Sequence, residues 1–301
     1  MHIPVMLLEV IDYLKINPSG FYVDVTFGLG GHTVGVLKHL NENGRILVLD
    51  RDIFSIRIAE RLSLLDFRVE FSHASFDQLN NILLKKELNN KVDGIIADLG
   101  ISNFQLLDIS RGFSFNNNGF LDMRMNIKQE LMASEWINCA SFKDIVFVLS
   151  NFGEEKLSHK IANEIVTYRR RKFINMTSDL VEIVSKFYLC THYTRKHPAT
   201  RIFQAIRIFI NNELQLLEWF LLSALQSLKL GGRLIVLSFN SLEDRIVKNF
   251  IVKYKFNLKC KKSCDGLFLK SVVKYLRPSI SEIDNNISSR SAVMRVIERI
   301  Y

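Results

Sequence analysis

Apolar residues in the first hundred positions fall into short unbroken runs that close on a carboxylate or a glycine turn. Phe21-Tyr22-Val23-Asp24-Val25 leads into Gly28-Leu29-Gly30-Gly31-His32, Arg45 to Leu49 ends at Asp50, and Val92 to Ala97 ends at Asp98. Phe67 to Phe71 alternates apolar and polar, the period of a half-buried strand. Between these runs the spacing turns helical. Asp52 to Leu65 carries Ile53, Ile56 and Ile58 to Leu62, and Asp77 to Leu88 follows the same rule. Ahead of them, Pro4 suits the first turn of a helix that places Leu7, Leu8, Ile11 and Leu14 on one face. Continuous apolar strands alternating with helices predict a mostly parallel sheet covered on both faces, a Rossmann-like α/β fold.

The next clear strand is Arg233 to Phe239, behind Gly231-Gly232. About 130 residues separate Gly100 from Gly231, whereas a whole βαβ unit takes roughly 30. A helical subdomain is therefore expected inside this crossover. Ser134 to Leu149, Glu154 to Arg169 and Thr177 to Phe187 have helical spacing, while the Asn- and Gly-rich stretch Phe113 to Met125 predicts an ordered loop. Thr200 to Leu228 reads as one long helix returning to the sheet. Phe268 to Leu276 and Ala292 to Ile300 alternate as a closing pair of strands, which supplies a C-terminal antiparallel strand. The predicted organisation is a sheet domain from 1–104 and 200–301, with an inserted helical substrate-recognition subdomain at 105–199.

Composition narrows the class. With 48% hydrophobic and 24% charged residues in a chain of 301, a globular protein with a sizeable core is expected. No apolar run is long enough to span a bilayer, because Glu218, Gln226 and Lys229 interrupt even Leu214 to Leu230. Glu9 and Asp12 near the start do not suit a secretory leader, so the cytoplasm is the expected address and no membrane partner is expected. The 4 cysteines, Cys139, Cys190, Cys260 and Cys264, are too scattered for a disulfide framework or a metal site. A net charge of +9 favours a polyanionic partner.

Gly28 and Asp50 lie 22 positions apart, the span of a strand, a tight turn, a helix and a second strand. An acid at the second strand end is placed to accept hydrogen bonds from the two hydroxyls of a ribose. Glycines alone would fit any tight strand–helix connection; Asp50 is what points to an adenosine-containing cofactor. Phe76, just past the third strand, can lie against a flat ring or serve as a core aromatic. Asp98 closes the fourth strand on the side where open α/β sheets bind ligands.

Several blocks together are similar to the bacterial family of 16S rRNA (cytosine-N4)-methyltransferases. They are Thr26-Phe27-Gly28 with Gly30-Gly31-His32, Asp50-Arg51-Asp52, Asp98-Leu99-Gly100, Arg111-Gly112-Phe113-Ser114-Phe115, Leu121-Asp122-Met123-Arg124-Met125, Lys196 to Arg201, Ser241 to Lys248 and Ser289 to Ala292. The resemblance covers nearly the whole chain in order. It implies a class I S-adenosylmethionine-dependent methyltransferase fold and methylation of the exocyclic N4 of a cytidine in the decoding region of 16S rRNA. S-adenosylmethionine is then the cofactor, held by Gly30, Gly31, His32, Asp50, Phe76, Asp98 and Gln105. Asp98 is the candidate catalytic carboxylate. Methylation at cytosine C5 would need a cysteine nucleophile, and none lies near Asp98 in sequence. Three positions depart from the family pattern: Asn240 stands where His is expected, Leu29 where Arg is frequent, and Val25 where Gly is usual.

The basic clusters Tyr168 to Lys172 and His192 to Arg201 mix cations with aromatic or imidazole groups, a combination suited to phosphates and unstacked bases. Arg170, Arg171, Lys196, His197, Arg201, Arg207 and Arg245 are the expected contacts to 16S rRNA or the small ribosomal subunit. The oligomeric state is open, a homodimer included. Two rivals remain at this level. A nicotinamide-dependent dehydrogenase shares the strand–glycine–helix–acid pattern, although the glycine spacing here differs. A ribosome-assembly factor that keeps the pocket without turnover is suggested by Asn240.

Overall fold

The computed structural model describes residues 3–188, 197–255 and 267–301. These form two compact units, one of Met1–Gly100 with Leu214–Tyr301 and one of Ile101–Glu213. In the first, strands β1 (Phe21–Asp24), β2 (Arg45–Asp50), β3 (Val69–His73) and β4 (Val92–Asp98) alternate with helices α1 (Leu7–Leu14), α2 (Gly31–Leu37), α3 (Ile53–Leu65) and α4 (Leu79–Lys85).

The second unit is helical: α5 (Asn103–Leu107), α6 (Ala133–Cys139), α7 (Phe142–Asn151), α8 (Ser158–Arg169), α9 (Thr177–Ser185) and α10 (Ala199–Ile210). Its core gathers Trp136, Ile145, Leu149, Ile161, Ile165, Leu180, Ile202 and Phe203. The Asn- and Gly-rich stretch is a loop pinned at several points. Leu121 N–H donates to the Asn175 carbonyl (2.8 Å) and Thr177 N–H to the Gly119 carbonyl (2.8 Å). The buried Arg111 guanidinium donates to the carbonyls of Arg124 and Met125, each at 2.9 Å.

The chain then re-enters the sheet unit through α11 (Glu213–Ser227), β5 (Leu228–Ser238), α12 (Ser241–Tyr254), β6 (Leu269–Leu276), α13 (Ile280–Asn285) and β7 (Val293–Arg299). Strand order is β3-β2-β1-β4-β5-β7-β6. The first five pair in parallel, and β7 lies antiparallel to both β5 and β6.

The unbroken apolar strands follow from this arrangement. Successive side chains point to opposite faces, and both faces are covered. Val23, Leu47, Leu49, Ile95, Ala97, Leu234 and Val236 pack on one side with Leu79 and Leu83 of α4, Phe220 and Leu221 of α11 and Val247 of α12. Tyr22, Ile46, Val48, Ile96, Ile235 and Leu237 pack on the other with Val10 and Leu14 of α1, Val36 of α2 and Ala59 of α3.

Two helices expected in one piece are broken. Thr200 to Leu228 divides into α10 and α11 at Asn211-Asn212, where Asn212 takes a left-handed φ of 50°. The buried Asn211 side chain accepts from Met125 N–H (2.7 Å) and donates to the Met123 carbonyl (2.7 Å), so it holds the loop and ends the helix. The helical unit therefore runs to Glu213, past the boundary at 199/200 that an unbroken helix suggested. Ser134 to Leu149 divides into α6 and α7 because Ser141 caps a new start, its hydroxyl accepting from Asp144 N–H (3.2 Å).

Candidate active site

The parallel strands deliver three carboxylates at their C-terminal ends: Asp24 from β1, Asp50 from β2 and Asp98 from β4. Thr26 ties two of these ends together, its hydroxyl accepting from Asp98 N–H at 2.6 Å. The turn after β1 needs glycine at two places. Gly28 and Gly30 have φ of 56° and 79°, a region that side chains disfavour. A Cβ on Gly30 would also sit 2.8 Å from the Phe27 ring.

Asp50 binds this turn to the next one. Its Oδ2 accepts from Gly28 N–H and its Oδ1 from Asp52 N–H, both at 2.8 Å. The Ser55 hydroxyl also hydrogen-bonds this carboxylate; with about four acceptor positions in all, the carboxylate keeps acceptor capacity for a ribose hydroxyl. Burial pushes the Asp50 carboxyl up, helped by the charge of Asp52, while the two N–H donors and the Ser55 hydroxyl oppose it. The sheet register pairs Asp50 with His73, which brings Phe76 to the neighbouring strand end. Its ring packs 5.3 Å from that of Phe220, with the Arg51 guanidinium 5.9 Å from its centre.

Asp98 carries the feature most pertinent to chemistry. Its Oδ1 is buried and has no hydrogen-bond partner. A buried acceptor without a donor costs free energy unless a ligand supplies one. Its Oδ2 lies 3.9 Å from Nδ1 of His32. Burial raises the Asp98 carboxyl to about 6, with His32 pulling it down and Asp24 pushing it up. His32 is itself buried, and its Nε2 lies 2.9 Å from the Val5 carbonyl, which assigns the proton to that nitrogen.

Asp24 escaped the sequence reading. It is 1% exposed, accepts from the Thr33 hydroxyl at 2.7 Å and from Thr26 N–H at 3.2 Å, and burial raises its carboxyl. The same signal that marked Asp50 and Asp98, an apolar strand closing on an acid, was present at Asp24.

Gln105 lies in the helical unit. Its side-chain carbonyl accepts from Ser102 N–H (3.1 Å) and its own N–H donates to the Ser102 hydroxyl (3.2 Å), which forms the capping box of α5. Asn240 also has a structural task. It is the N-cap of α12, with Oδ1 accepting from Leu242 N–H (3.0 Å) and Glu243 N–H (2.9 Å). Asn240→Ala removes both contacts and is expected to cost about 1 kcal/mol. Scanning calorimetry should show the melting point lower by about 2–4 °C.

Of the residues expected at RNA, Arg170 and Arg171 are exposed just past α8, beside the exposed ring of Phe173. His197 stacks on Phe115 with ring centres 4.9 Å apart, and Phe115 meets Phe203 edge-on. Arg201 on α10 and Arg245 on α12 are exposed, and Lys196 lies outside the described residues. Arg207 requires correction. Its Nε and Nη2 pair with Glu213 Oε1 and Oε2, both at 2.9 Å and largely buried, so this cation closes the end of α10 and is not free for phosphate. Among the described residues no cluster of His, Cys, Asp or Glu suits a metal ion, and no helix is long and apolar enough to cross a membrane.

A seven-stranded sheet with one antiparallel strand, a glycine turn after β1 and acids closing β1, β2 and β4 defines a class I S-adenosylmethionine-dependent methyltransferase. The chain matches the model of the MraW methylase family over residues 1–300 and belongs to that family. It is 46% identical over 310 residues to a ribosomal RNA small subunit methyltransferase H from Wigglesworthia glossinidia brevipalpis, covering 100% of this chain and 99% of the relative. Proteins of the same name from Coxiella burnetii (strain Dugway 5J108-111) and Blochmanniella floridana are 43% and 44% identical, each across 99% of this chain and 99% and 98% of their own lengths. Membership removes the nicotinamide alternative. S-adenosylmethionine is the cofactor, and the residues present suit it: Asp50 has acceptor capacity for a ribose and Asp98 an acceptor awaiting a donor.

Proposed function

We propose that this chain methylates the N4 amine of a cytidine in the decoding region of 16S rRNA. The relatives named above are by name small-subunit rRNA methyltransferases, and the net charge of +9 suits a polyanionic substrate. The observation that carries the choice of an amine is the buried, partnerless Oδ1 of Asp98. The nitrogen lone pair of a cytosine amine is conjugated into its ring and is a poor nucleophile. A carboxylate accepting one of its N–H bonds localises that pair on nitrogen.

S-adenosylmethionine, when bound, supplies an electrophilic methyl group on sulfur. That methyl would pass to the amine nitrogen with the donor leaving as its neutral thioether, and Asp98 would take the proton that the alkylated amine sheds. Asp50 and the turn at Gly28 to His32 hold the donor, while the protein orients the two reactants, a contribution of roughly 7–11 kcal/mol in well-aligned systems. With a carboxyl near 6, Asp98 is mostly ionised at pH 7 and loses its acceptor role as pH falls through that value.

Incubation of the protein and S-adenosylmethionine with 16S rRNA or 30S particles should yield N4-methylcytidine in nuclease digests analysed by mass spectrometry. Digests without it sink the enzyme reading and leave the non-catalytic assembly factor. For RNA contact, Arg170, Arg171, His197, Arg201 and Arg245 are the proposed cations and stacking group. Lys196 is proposed with them on sequence grounds. The double substitution Arg170→Ala/Arg171→Ala should weaken RNA binding and flatten the slope of log affinity against log salt by about 1–2. An unchanged slope in filter binding would remove this pair from the interface.

A further inference from the structure

The segment ahead of α1 is held at both ends by residues from the far end of the chain. Met6 N–H donates to Glu282 Oε1 of α13 at 2.9 Å, across 276 positions. The Asn286 side-chain amide, just past α13, donates to the Ile3 carbonyl at 3.0 Å, across 283 positions. Between these anchors the segment lies on the glycine turn. Nε2 of His32 is 2.9 Å from the Val5 carbonyl, and a Cβ on Gly31 would sit 2.8 Å from Cβ of Pro4. Met6 is buried with a left-handed φ of 52° and ψ of 39°. That conformation is unfavourable for a side chain of this size and persists where neighbours over-determine it. The Met6 carbonyl then opens α1 by accepting from Val10 N–H at 2.9 Å. Glu282 is fixed in its turn, its own N–H donating to the Ser279 hydroxyl at the start of α13 (3.1 Å).

We propose that Glu282 and Asn286 are positioning residues for S-adenosylmethionine: by fixing Met6 and Ile3 they keep Pro4 and Val5 against Gly31 and His32, and so hold the cofactor turn in its binding shape. This rests on the reading of the turn at Gly28 to His32 as the cradle of the cofactor. Asp50 fastens that turn at Gly28, and the N-terminal segment fastens its other end, at Gly31 and His32. With both ends fastened, the cofactor does not have to order the turn as it binds, and affinity gains by pre-organisation. Glu282 and Asn286 act on the turn through this segment, so their loss weakens binding and leaves the chemical step alone. Such coupling is reciprocal. Bound S-adenosylmethionine therefore protects the Met6 N–H that Glu282 holds.

The test is titration calorimetry with S-adenosylmethionine on the unaltered chain, Glu282→Ala, Glu282→Gln, Asn286→Ala and Asp50→Ala, with methylation of 16S rRNA or 30S particles to separate KM from kcat. Glu282→Ala leaves the buried Met6 N–H without its acceptor and should raise both the dissociation constant and the KM for S-adenosylmethionine about 10-fold, with kcat unchanged. Glu282→Gln keeps an acceptor oxygen and should restore the affinity. Exchange of the Met6 amide, followed by NMR on protein carrying isotope-labelled methionine, should slow when S-adenosylmethionine is added to the unaltered chain and respond less in Glu282→Ala. A lower melting point with unchanged affinity in Glu282→Ala would overturn the proposal and leave the contact a structural one. A loss confined to kcat, or one that Glu282→Gln fails to restore, would overturn it too. Should Glu282→Ala fail to fold by circular dichroism, the affinity of Asn286→Ala and the effect of the cofactor on Met6 exchange in the unaltered chain decide. Asp50→Ala separates the two levels: unchanged affinity there defeats the reading of the turn itself, while lost affinity there beside an unchanged one in Glu282→Ala defeats only the role of α13.

Discussion

Asp50→Ala should abolish measurable S-adenosylmethionine binding in titration calorimetry, a loss of at least about 100-fold. Three effects add. The ribose hydroxyls lose a charged acceptor, and hydrogen bonds to charged groups contribute about 1.5–3 kcal/mol each. Gly28 N–H and Asp52 N–H lose the partner that each holds at 2.8 Å. The glycine turn, which that first contact ties to β2, loses its fixed shape, and pre-organisation of the site goes with it. Asp50→Asn distinguishes these causes, because it keeps an acceptor oxygen while removing the charge and should retain part of the affinity. Unchanged affinity in Asp50→Ala would mean that the donor sits elsewhere.

Asp98→Ala should lower kcat by about 10²–10⁴, the range for a positioned acid–base group, while RNA affinity changes less than twofold. The reasoning is local. The Oδ1 is a buried acceptor at a strand end without a hydrogen-bond partner, and its removal leaves the exposed basic side chains Arg170, Arg171, Arg201 and Arg245 in place. Single-turnover methylation with RNA in excess measures the first quantity and filter binding the second. Full turnover in the variant would take Asp98 out of the chemistry and reduce it to a wall of the cofactor pocket.

The sheet was legible because its strands obey one strong rule. A parallel strand buried on both faces must be apolar throughout, and Arg45 to Asp50 or Val92 to Asp98 read that way without any partner in view. The helix breaks at Ala140-Ser141 and Asn211-Asn212 were not legible, since hydrophobic spacing continues through both. What decides them is a cap at Ser141 and, at Asn211, hydrogen bonds to Met123 and Met125 from a loop more than eighty positions earlier. A side chain's long-range partner leaves no periodic trace. Arg207, expected at RNA, is a further case: the fold pairs it with Glu213 just beyond the helix end. The site showed the converse. Asp50 and Asp98 stood out as strand-ending acids, yet the burial of the Asp98 Oδ1 and the approach of His32 from α2 to its other oxygen come only from the three-dimensional packing.

β7, the last strand in sequence, sits between β5 and β6. On a chain emerging N-terminus first, β6 therefore has no strand among the described residues to pair with until β7 is made, and β5 presents a bare edge to solvent or to other chains until then. A product cut short before Val293 would lose two strands for one, and would expose the row of backbone groups from Arg233 to Ser238 that β7 otherwise takes up. The sheet is thus closed only when Val293–Arg299 takes its place between the two strands that precede it.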